Sequence, residues 1–112
     1  MLLLIEQPAT PEQIHQMAEV FAGKMIKLAV DVKRGILAGG GVLHADCEQM
    51  LLEAGSQQEH IWGADWYPET AQVGFESLIN IRPRQQNFGL EIQDPTLRSQ
   101  IEAIVRHLLE AK

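Results

Sequence analysis

The sequence is short of basic residues, of aromatics, of cysteine and of long apolar runs, and each shortage closes off a class of function. Nine Lys and Arg stand against fifteen Asp and Glu, a net charge of −6 over 112 residues. That balance repels a phosphate backbone unless cations gather on one face, which argues against nucleic acid as a partner. The single cysteine, Cys47, has no second thiol to pair with, so nothing here requires an oxidising compartment. The apolar start Met1–Ile5 lacks a basic leader and ends short of the roughly 7–15 residues of a signal-peptide core. No stretch nears the ~20 apolar residues of a membrane span. The expected compartment is the cytoplasm, with no membrane partner.

What is present is an ordinary globular composition. Apolar residues make up 46% of the chain, enough to bury a core within one domain spanning residues 1–112. A short strand over Leu2–Glu6 ends at Pro8. Thr10 then caps a helix, with Pro11 in its first turn and Gln13 completing a capping box. Ile14, Met17, Ala18 and Phe21 form its apolar stripe, and Gly23 stops it. From Ile26 the period changes to two, and Lys33-Arg34-Gly35 turns the chain into a second strand, Ile36–Ala38. Gly39-Gly40-Gly41 breaks that strand. A second helix carries Leu43, Cys47, Met50, Leu51 and Ala54.

The run His60–Tyr67 is strand-like and holds Trp62 and Trp66. Gln72–Arg82 alternates most clearly, ending at Pro83, and Phe88, Leu90 and Ile92 alternate once more. Asp94-Pro95 opens the last helix. The order is β-α-β-β-α-β-β-β-α, an α+β fold whose largely antiparallel sheet packs three helices mainly on one face. A sheet covered on one side leaves Lys27, Asp31, Glu76, Asn80 and Arg82 on an open face.

Several blocks taken together resemble a known family: Val30-Asp31-Val32, Ile36-Leu37-Ala38-Gly39-Gly40, Leu43-His44-Ala45-Asp46, Gly55-Ser56-Gln57-Gln58, Trp62-Gly63, Ser77–Pro83 and Glu91-Ile92-Gln93-Asp94. The resemblance is to a small uncharacterised microbial family, domain of unknown function 5674. It covers the chain from about Met25 to the last helix. It implies a compact soluble protein and no particular activity.

The candidate chemistry gathers around Val30–Glu48. Glycines before a helix can bind an anion, but Gly39–Gly41 lacks phosphate-loop spacing and also suits a tight strand-to-helix crossing. Asp31, His44 and Asp46 are the candidate catalytic residues, offering nitrogen and oxygen donors for acid/base or metal-assisted hydrolysis. Their spacing matches no metal-ligand signature, so no metal and no cofactor is expected. Asp46 equally serves as a helix-start carboxylate, and Cys47 falls in register with the buried face. Arg82, Arg84 and Asn80 are the candidate ligand-binding residues, because arginine recognises carboxylates and phosphates in bidentate fashion. The structural alternative for the two arginines is a strand-end salt bridge to Asp31, Glu76 or Glu91.

Two readings follow. The first is a small non-catalytic binding protein that self-associates as a homodimer, through the open sheet face or the Trp62–Tyr67 hairpin. The second is a hydrolase acting on a small anionic ligand with Asp31, His44, Asp46 and Arg82. It requires those four side chains to converge on one pocket.

Overall fold

Val30 and Trp62 face each other across the centre of a five-stranded antiparallel sheet. The computed structural model describes residues 1–110. The strands are β1 (Leu3–Ile5), β2 (Ile26–Asp31), β3 (Ile36–Gly39), β4 (Ile61–Tyr67) and β5 (Gln72–Gly74). They lie side by side in the order β1-β3-β2-β4-β5. The helices are α1 (Pro11–Ala18), α2 (His44–Glu53) and α3 (Pro95–Leu109). The α+β class, the antiparallel sheet and the element order agree with the sequence expectation. The last strand of that order is reduced to an isolated antiparallel bridge, Glu76 with Glu91.

Local chemistry accounts for most boundaries. Thr10 Oγ1 accepts from the Gln13 N–H at 3.1 Å while Gln13 Oε1 accepts from the Thr10 N–H at 2.9 Å, closing the capping box of α1. Asp94 caps α3 by accepting from the Thr96 N–H. Gly40 adopts φ +99°, and a Cβ there would collide with the backbone of Met1, so glycine is required at the crossing into α2.

The pleat sorts side chains onto two covered faces. Ile26, Leu28, Val30, Leu37, Trp62, Ala64 and Trp66 form one core with Met17 of α1 and Ile101, Val105 and Leu108 of α3. On the opposite face Ala29, Ile36, Ala38 and Ile61 pack with Cys47 and Leu51 of α2. Burying each of the valine, leucine, isoleucine and methionine side chains among them contributes roughly 1.5–3 kcal/mol.

Two of the three helices thus share one face, and the third covers the other. This removes the expected open face: Asp31 and Asn80 have no exposed surface, and Asp65 is buried. Trp62 and Trp66 are core residues.

The long strand expected over Gln72–Arg82 ends at Gly74. The reason lies across the sheet, at Gly63. With no side chain there, Ser77 drops onto β4, where a Cβ on Gly63 would stand 2.5 Å from that of Ser77. The chain leaves the strand ladder after Gly74 but stays against β4 through Ser77 and Asn80, and the segment closed by the Glu76–Glu91 bridge forms an irregular finger over residues 76–91.

Candidate functional site

Two buried asparagines hold the finger. Asn80 Oδ1 accepts from the Gly63 N–H at 2.8 Å and its Nδ2 donates to the Gly63 carbonyl at 3.0 Å. The side-chain amide therefore takes the place of a strand neighbour. Nδ2 also reaches the carbonyls of Phe75 and Leu90. Asn87 Nδ2 donates to the carbonyls of Asn80, Gly89 and Glu91, and its Oδ1 accepts from the Gln93 N–H. Buried polar groups so fully satisfied fix one backbone path.

The two arms of the finger run antiparallel. At the base, Glu76 bridges Glu91 and the Ser77 N–H donates to Leu90 O at 3.0 Å. Toward the tip, Arg82 and Asn87 exchange two backbone hydrogen bonds of 2.7 and 3.1 Å. Pro83–Gln85 forms a 3-10 turn at the tip, closed by Gln86 at φ +65°.

On this well-bonded backbone, large apolar side chains face solvent. Leu78 is 76% exposed, Phe88 66%, and Ile81 and Leu90 44% each. Leu78, Ile81, Arg82 and Arg84 line a shallow cavity of about 610 Å³ with Glu48 of α2 and Gln58.

Arg82 fastens the finger to its surroundings. Nε donates to Ile79 O, Nη1 to Gln58 O and Gln85 Oε1, and Nη2 to Glu48 Oε2 at 3.2 Å. Its guanidinium lies 4.8 Å from the Trp62 ring centroid. Burial pushes the Arg82 pKa down, and the Glu48 carboxylate works in the opposite direction. Its donors are thus largely spent inside the molecule. Arg84, two residues on, is exposed and makes no ion pair among the described residues.

The remaining candidates occupy separate settings. Asp31 is buried beside the β2–β3 turn, where Oδ1 accepts from the N–H groups of Lys33 and Arg34. Asp46 Oδ2 accepts from the Leu43 N–H at the start of α2. His44 Nε2 lies 2.8 Å from Asp65 Oδ1 and 3.1 Å from Ala64 O. Both partners are acceptors, so Nε2 carries the proton and ties α2 to β4. Arg82 belongs to the Glu48 pair. The four residues of the hydrolase reading therefore do not converge. Among the described residues no three His, Cys, Asp or Glu side chains gather as a metal-ligating group.

Asn80, expected as a ligand contact, is instead enclosed, with both ends of its amide bonded within the protein. Cys47 is buried; its thiol donates to Lys27 O, and burial pushes its pKa up to about 11, away from nucleophilic use.

Sequence reasoning passed over three residues that matter here: Glu48, Asp65 and Asn87. Asp65 had a visible signal, a lone carboxylate within an otherwise apolar strand. Glu48 and Asn87 had none beyond polarity.

No described helix is long and apolar enough to cross a membrane. Residues 3–108 match the model of a family described as protein of unknown function DUF5674, and the chain belongs to that family. No curated protein and no solved structure matches the chain.

Proposed function

We propose that the protein is a small non-catalytic binding protein of the cytoplasm that associates with itself as a homodimer, using the finger over residues 76–91 as its contact surface. The observation that carries this reading is the contrast within the finger. Its backbone is locked by the buried amides of Asn80 and Asn87, yet it displays Leu78, Ile81, Phe88 and Leu90 to solvent. A segment left loose could turn such side chains inward. A locked one keeps them available, and grouped exposed apolar residues mark interaction sites.

The hydrolase alternative lacks its precondition, because Asp31, His44, Asp46 and Arg82 are each engaged in a different place. A ligand-binding role for Arg82 is likewise weakened by the internal acceptors that take four of its five N–H donors. The test is the mass in solution by size-exclusion chromatography with light scattering. A dimer that Leu78→Asp converts to monomer supports the proposal. A wild-type chain that stays monomeric at high concentration removes it.

A further inference from the structure

Resting on that reading, we infer that two fingers dock antiparallel about a two-fold axis, so that Arg84 at the tip of one meets Glu76 at the base of the other. The finger places opposite charges at its opposite ends. Arg84 lies in the tip turn, and Glu76 lies at the base bridge. Both are exposed, and neither forms an ion pair among the described residues. The neighbouring charges are already matched: Arg82 is held by Glu48, and Glu91 by Arg98 at 2.9 Å. Between the two ends along the chain lie the four exposed apolar residues, of which Leu78 and Ile81 line one cavity with Arg84.

A two-fold axis through the middle of the finger makes such a surface complementary to itself. Tip then faces base twice, and apolar side chains meet across the centre.

Other occupants fit less well. A small anion needs several convergent donors, and Arg84 is alone once the donors of Arg82 are consumed. Nucleic acid and anionic membranes both call for grouped cations, whereas this chain carries a net charge of −6. A second copy supplies both the carboxylate and the apolar surface that the finger lacks a partner for.

The experiment is a charge-swap cycle read by sedimentation equilibrium. Arg84→Glu and Glu76→Arg, made singly, set like charges against each other and should each weaken the dimer by about tenfold or more. The double variant restores the opposite-sign pairing and should return the dissociation constant to within about threefold of wild type. Both positions are exposed, so circular dichroism spectra should stay at wild-type values, as should urea midpoints measured at concentrations low enough that the wild type is itself dissociated. A wild-type monomer overturns both this inference and the self-association on which it rests. A wild-type dimer that ignores the single reversals, or is weakened further by the double variant, overturns the docking arrangement and leaves self-association standing.

Discussion

The Asn80 side chain holds both the N–H and the carbonyl of Gly63, seventeen residues away, at 2.8 and 3.0 Å. This pair decides where the sheet ends and the finger begins. An amide matches the donor and acceptor of a strand neighbour, so β4 stays satisfied where β5 no longer reaches it. Asn80→Ala strands both backbone groups of Gly63 in a buried place. It should lower stability by about 2–4 kcal/mol, measured as a reduced midpoint in urea denaturation. The amides of the finger should also lose hydrogen-exchange protection before those of β2.

Gly63 and Ser77 are matched in size. Gly63→Ala pushes a methyl group into Ser77 and should cost about 1–3 kcal/mol. Removing the obstacle with Ser77→Gly in the same chain should recover part of that loss. The two substitutions should therefore show a favourable coupling energy in a double-mutant cycle, against the additivity expected of distant sites.

Arg82 and Glu48, thirty-four residues apart, form a pair of which little is exposed on either side. Arg82→Met leaves the Glu48 carboxylate and the Gln58 and Ile79 carbonyls without their donor. A loss of about 2–3 kcal/mol is expected in chemical denaturation, with Glu48→Gln costing less because the amide still accepts a hydrogen bond.

Cys47 predicts a pH dependence of stability. Burial raises its pKa from the ordinary 9.0 to about 11, so between these values the folded chain keeps a proton that the unfolded chain releases. The stabilisation is complete below pH 9 and is lost as the pH rises through 11. Cys47→Ala should remove that contribution, giving a shallower fall in urea midpoint than wild type over this window. In the native protein the thiol should react slowly with Ellman's reagent at neutral pH.

The parts of this fold that were legible in the sequence are those set by neighbours along the chain. The Thr10–Gln13 capping box, the Asp94 cap and the period-two run from Ile26 are visible within a few residues, and each element appears where expected. The alternation over Gln72–Arg82 was equally plain and still did not become one strand. What cut it short is a partner on another strand, the bare backbone of Gly63, which no local pattern in 72–82 contains.

The candidate site divides in the same way. Arg82 was singled out for its chemistry, but beside the nearby Ile79 and Gln85 its acceptors include Glu48 and Gln58, distant in sequence. His44 was noticed with Asp46 two residues on, while its actual partner is Asp65, twenty-one residues away. Helix packing on both sheet faces was hidden because Cys47 and Leu51 give α2 a narrow apolar stripe that fits either side.

The central claim is that the finger joins two copies of this chain. Light scattering on the purified protein across a range of concentrations tests it most directly. The predicted result is a mass of twice the 12.5 kDa chain that falls to the single-chain value on Leu78→Asp. A wild-type mass of 12.5 kDa at every concentration would contradict it.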